Sequence, residues 1–102
     1  MRPTTKSDRH SERMLAVVAR EAAAFISREA GTGSLITVVR AESRSRGARV
    51  SVFVSIYPVE KARLALAFLE RQREHFSDHL KRHTRLRPLP RIDFQLDNQA
   101  PA

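Results

Sequence analysis

Ala48-Arg-Val-Ser-Val-Phe-Val-Ser-Ile-Tyr57 alternates along its whole length. Val50, Val52, Val54 and Ile56 point to one side, and Arg49, Ser51, Phe53, Ser55 and Tyr57 to the other. A period of two with one apolar face describes a half-buried antiparallel strand. Such a strand needs a partner beside it and a layer over its valines.

The flanking sequence supplies both. Upstream, Ser34 to Glu42 is short, apolar and β-branched (Leu35, Ile36, Thr37, Val38, Val39) and reads as a second strand. Ser43 to Gly47 between them is a polar, arginine-rich turn. From Ser11 to Ala30, Met14, Leu15, Val18, Ala22, Phe25 and Ile26 recur at intervals of three and four, which predicts an amphipathic helix stopped by Gly31-Thr-Gly33. Downstream, Pro58 opens a helix from about Val59, with Ala62, Ala65, Leu66 and Leu69 on one stripe and Phe68 alongside. Helical character continues through Phe76 and Leu80 to about Thr84, as one helix or two. Pro88 and Pro90 forbid more helix. Arg91 to Asp97 then alternates again, with Ile92, Phe94 and Leu96 on one face, and the prolines suit an edge position. The order α-β-β-α-α-β, with three strands each apolar on one face, predicts an α+β two-layer sandwich over a three-stranded sheet.

Length and composition narrow the function. The chain has 102 residues, 41% of them hydrophobic, enough for one domain with one modest core but not for a large enclosed active site. Residues 1–10 read as a mobile basic lead-in, 11–98 as the binding domain and 99–102 as a tail. The absence of cysteine excludes disulfides and thiolate metal sites and fits a reducing cytoplasm. No apolar run approaches the ~20 residues of a membrane span, and the polar start lacks a signal-peptide core, so a cytoplasmic protein is expected.

Charge is the strongest functional signal. Nineteen Lys+Arg against 11 Asp+Glu give +8, and the pI is about 11.4. The excess concentrates in three segments: residues 1–13, residues 38–49 with Arg40, Arg44, Arg46 and Arg49, and residues 81–91 with Lys81, Arg82, Arg85, Arg87, Arg91 and no acid. Only Lys6, Lys61 and Lys81 among these bases are lysine. Arginine's planar fork meets phosphate oxygens in pairs and stacks on bases, so a polyanion is the simplest partner. An anionic membrane fits less well, because no basic segment adjoins an aromatic-rich apolar face.

Four stretches then resemble the ribosome-binding factor A family, small bacterial factors with a type II KH-like fold. Arg20-Glu-Ala-Ala-Ala-Phe-Ile-Ser-Arg-Glu29 is similar to the family's first helix. Ile36-Thr-Val-Val-Arg-Ala-Glu42 and Val52-Phe-Val-Ser55 are similar to its first two strands. Arg85-Leu-Arg-Pro-Leu-Pro-Arg-Ile-Asp-Phe94, followed by Asp97-Asn98, is similar to its closing motif. The likeness covers residues 11–98 and lies in the order and spacing of the stretches. Two departures stand out. Gln72-Arg73-Glu74 replaces the small Ala-x-Gly kink between the family's last two helices, and the loop at Gly31-Thr-Gly33 is shortened. The resemblance implies a non-catalytic factor that binds small-subunit ribosomal RNA on the 30S subunit and assists its maturation, acting as a monomer without cofactor, membrane or small-molecule substrate.

On that reading Lys81, Arg82, Arg85, Arg87 and Arg91 contact RNA phosphates, Arg71 and Arg73 flank the former kink as further contacts, and Arg44, Arg46 and Arg49 form a second contact on the turn. Phe53 and Tyr57 share a strand face, where partial packing under the chain termini is preferred to an open base-stacking platform. His75, His79 and His83 recur at intervals of four, but without an HExxH pattern or a convergent carboxylate they read as proton-dependent positive charge rather than a metal site, with His83 leaning on the core. Asp93 and Asp97 take the outward face of the last strand. No nucleophile elbow, phosphate loop or buried carboxylate pair is visible, so no enzyme is expected. Gln72 and Glu74 motivate an alternative, a KH-like protein-interaction module that has lost RNA binding. A metal-dependent enzyme using the histidine row is the third option.

Overall fold

The computed structural model describes residues 6–29 and 33–97, without the side chains of residues 6–10, 28 and 29. The order is α1 (Lys6–Glu29), β1 (Leu35–Arg44), β2 (Arg49–Tyr57), α2 (Ala62–Arg71), α3 (Arg73–His83) and β3 (Arg91–Leu96). This is the α+β arrangement expected. Helix α1 starts at Lys6, inside the stretch expected to be a mobile lead-in, because nothing between Lys6 and Ser11 breaks a helix. The rest of that lead-in (1–5), the stop at Gly31-Thr32 and the tail lie outside the described residues.

The strand that decided the fold is the centre of a sheet ordered β1-β2-β3. It runs antiparallel to β1 and parallel to β3, so the sheet is mixed. Val50, Val52 and Val54 are fully buried against the helices, and Ile92 and Phe94 of β3 join them. Helix α1 contributes Val18, Ala22, Phe25 and Ile26, α2 contributes Ala65 and Leu69, and α3 contributes Phe76 and Leu80. Each such large apolar side chain contributes roughly 1.5–3 kcal/mol by leaving water.

Two departures from the sequence reading, and one alternative it left open, are settled by the backbone. First, β1 carries a bulge. Its register against β2 shifts between Val38 and Arg40, so Val39 has no partner. Strict alternation from Ile36 and Val38 would drive Arg40 into the core. The extra residue instead turns Arg40 and Glu42 to the helix-free face and Ala41 to the core. Second, the α2–α3 stretch is two helices, interrupted at Gln72 with φ −92° and ψ 2°. Any side chain can adopt that bridge conformation, so the break needs no glycine. The Gln72 N–H still donates to the carbonyls of Phe68 (3.1 Å) and Leu69 (3.0 Å), and Phe76 N–H donates to Gln72 (2.9 Å). Third, restarting the helix at Arg73 sets its phase so that Phe76, His79 and Leu80 face inward. His79, not His83, is the core histidine.

Candidate nucleic-acid interface

The sheet register assembles the first part of the site. On the helix-free face, Arg44 of β1 pairs with Arg49 of β2, and Arg49 with Arg91 of β3. Three arginines from separate strands thus form one row at the hairpin end of the sheet. Neighbouring strands lie ~4.8 Å apart, so the row spans about 10 Å at the backbone. Like charges set side by side across strands repel, an arrangement that an anion relieves. Two acids from the next row steady the side chains, Glu42 to Arg44 and Asp93 to Arg49, each at 3.8 Å. Such partly exposed pairs contribute ~0–1 kcal/mol and leave the guanidiniums open to a phosphate.

Arg46 projects from the 3-10 turn Ser45–Gly47 that joins β1 to β2. Ser45, Arg46 and Gly47 all have positive φ (53°, 56° and 89°). The left-handed conformation costs a side chain such as arginine roughly 1–2 kcal/mol, and Gly47 takes its position without that penalty.

Arg91 belongs to a second feature. With Ile92 it forms one wall of an open groove of about 400 Å³ whose other wall is Arg73, Glu74, Ser77 and Asp78 of α3. The groove lies between the first turns of α3 and the start of β3. Lys81 and Arg82 come one turn after Ser77 and Asp78, so they prolong the same helix face. Arg73 is turned toward Glu70 at 3.5 Å. Among the described residues no ion pair joins Arg71, Lys81, Arg82, Arg85 or Arg91 to an acid. Arg87 folds back instead, donating to the backbone carbonyls of Leu86 and Lys81 at the end of α3. The structure therefore joins Arg44, Arg49, Arg91 and Arg73 into one border, extended along α3 by Lys81 and Arg82. It gives Arg87 a helix-capping role, and it places Arg85 on the exposed connection.

Arg40 is the residue that sequence reading missed. Its guanidinium lies 4.3 Å from the centroid of Phe53, over the ring. It donates to Glu42 at 2.7 Å and to Asp97 at 2.9 Å. These bonds, Asp97 first and Glu42 second, raise its pKa above the usual arginine value, so it is a fixed cation. Phe53 is 8% exposed and Tyr57 is 74% exposed. Among the described residues Arg40 lies over the Phe53 ring, and the packing expected under the chain termini falls on residues outside the described ones. The signal was present in the sequence as a lone arginine at an inward position of an otherwise apolar strand.

The histidine row does not converge on a metal. His79 is buried, with Nε2 2.8 Å from Glu21 Oε1, and its ring stacks on that of His83 at 4.2 Å between centroids. No group of three or more metal-ligating side chains lies together among the described residues, and no helix there is long and apolar enough to cross a membrane.

Solved structures resemble this chain closely. The crystal structure of ribosome-binding factor A from Thermus thermophilus is similar at 27% identity, with 89% of this chain and 99% of that one covered and a TM-score of 0.74. A Thermus thermophilus ribosome-binding factor A model fitted into a cryo-EM map of a 30S complex is similar at 30% identity, covering 85% and 94%, with a TM-score of 0.72. A solution structure from Thermotoga maritima, at 19% identity and a TM-score of 0.69, covers 89% and 90% and shares the fold. No protein-family model and no curated protein matches the chain.

Proposed function

We propose, from the premise that this chain belongs to the ribosome-binding factor A family, that it binds the 30S ribosomal subunit in the cytoplasm through small-subunit ribosomal RNA and assists its maturation. It acts by affinity alone. Binding one local RNA conformation more tightly than its competitors shifts the population toward it, and nothing in this role requires a covalent step or a cofactor. A related factor has been fitted into a map of a 30S complex, which supports the partner.

Arg91 is the observation that carries the reading. It closes the arginine row across the sheet and also lines the groove beside α3. Bases far apart in sequence therefore share one exposed border, as a phosphate backbone requires. Arg73, Lys81 and Arg82 extend that border along α3, and Arg71 stands exposed at the end of α2 and Arg85 on the connection that follows α3.

The test is an anisotropy titration of a labelled small-subunit RNA fragment in rising salt. The expected result is an affinity that falls linearly on a log–log plot as counterions are released, with R82E/R85E weakening it several-fold. Binding that is absent or indifferent to salt would overturn the proposal, and an unchanged R82E/R85E variant would clear the α3 end of involvement.

A further inference from the structure

We infer that the chain pairs with a second copy of itself along β1, edge to edge, so that two three-stranded sheets become one. Strand β1 stands at the edge of the sheet and is ten residues long. An edge strand presents a row of unpaired N–H and C=O groups, which proteins guard with charges, prolines, bulges or short length. Here the guards are unequally placed. The bulge at Val39, then Arg40, Glu42 and Arg44, protect the second half. Leu35-Ile-Thr-Val-Val39 carries neither charge nor proline. Among the described residues, no hydrogen bond joins the backbone of residues 35–39 to anything but β2. Leu35 and Val39 are exposed, at 66% and 45%.

The segment is complementary to itself. Antiparallel pairing about Thr37 sets Leu35 of each copy opposite Val39 of the other, Ile36 opposite Val38, and Thr37 opposite Thr37. Every apolar side chain of the segment then meets an apolar one, and the threonines form a favourable cross-strand pair. Centring the pair on Val38 would set Ile36 opposite Arg40, and centring it on Ile36 would set Val39 opposite Gly33. A two-fold interface requires one patch that fits its own copy, and pairing about Thr37 supplies it.

The surroundings fit such a partner. Ala23, Ile26 and Ser27 of α1 and residues 34–38 border an open groove of about 350 Å³ beside this half of β1. No charged side chain lines it, in a chain of net charge +8. Ala23 and Ser27 are small, which leaves room for the second copy's α1 to come alongside. Like charges are also kept apart. Arg44 lies seven residues beyond Thr37, about 23 Å along the strand, and the two-fold axis sends the two hairpin ends in opposite directions. The two copies of Arg44 therefore stand roughly 46 Å apart. Both arginine borders stay open, so the pairing is independent of the RNA-binding reading.

The experiment is sedimentation velocity on the full chain without RNA, at concentrations up to about 0.5 mM, where even a weak dimer is populated. The sedimenting mass is expected to rise with concentration from 11.6 kDa toward twice that value. L35K/V39K sets like charges opposite one another in the pairing and is expected to weaken association by more than about ten-fold. Its melting curve is expected to stay unchanged, because both positions are exposed. Mixing L35K/V39K with L35E/V39E is expected to restore the dimer. The chain has no cysteine, so T37C supplies one thiol that meets its own copy at the axis and crosslinks on mild oxidation. Y57C, at a position 74% exposed on β2, is expected to crosslink far less. A mass that stays at 11.6 kDa throughout overturns the inference. Association that L35K/V39K leaves intact, or that T37C does not trap, overturns the assignment to β1.

Discussion

His79 Nε2 lies 2.8 Å from Glu21 Oε1, a polar clasp between α3 and α1 at the edge of the aromatic cluster of Phe25 and Phe76. Removing the carboxylate strands a buried histidine against those rings. Glu21→Ala should therefore cost about 1–3 kcal/mol of folding stability, while Glu21→Gln, which keeps an acceptor, should cost less. Urea denaturation measures both, and an unaltered midpoint in Glu21→Ala would show the clasp to be idle.

The restart of the helix at Arg73 predicts which α3 positions hold the core. Phe76→Ala should destabilise by about 3–5 kcal/mol, because Phe76 is fully buried between Phe25 and Phe94. Leu64→Ala, at a position 71% exposed, should stay within about 0.5 kcal/mol. Thermal melts of the two variants check the contrast.

The layering, the order of elements along the chain and the valine face were legible in the sequence because each rests on periodicity, whereas the parallel pairing of β3 with β2 was not. The places that escaped are those where one residue resets the period. A bulge at Val39 is invisible in a run of β-branched residues, yet it decides that Arg40 covers Phe53 instead of entering the core. Phe76 and Leu80 do face inward, yet the histidine buried beside them is His79 and not His83, which comes at the exposed end of α3. Within the candidate site, the bases were legible from charge alone. That Arg44, Arg49 and Arg91 stand in one row depends on strand register, and that Arg87 caps α3 depends on the path of the connection. Neither is written in local composition.

The bulge makes its own prediction. Deleting Val39 should regularise the β1 ladder, leave Val38 opposite Val54 and Arg40 opposite Phe53, and preserve a cooperative melt. A chain that no longer folds would mean that the extra residue is needed for the twist of the sheet.

At the hairpin tip, stability and binding should move in opposite directions. Arg46→Gly relieves a left-handed arginine at φ 56° and should stabilise by up to about 1 kcal/mol. It also removes a positive charge beside the arginine row and should weaken RNA binding. Gly47→Ala, at φ 89°, should instead destabilise by about 1 kcal/mol. Paired melts and titrations separate the two effects.

The decisive measurement is sedimentation of the protein with purified small ribosomal subunits at low and at high salt, alongside R82E/R85E. Pelleting with the subunits at low salt, its loss at high salt, and a weakened variant are the expected results. A protein that stays in the supernatant under both conditions, or that pellets regardless of salt and of the reversed charges, contradicts the account.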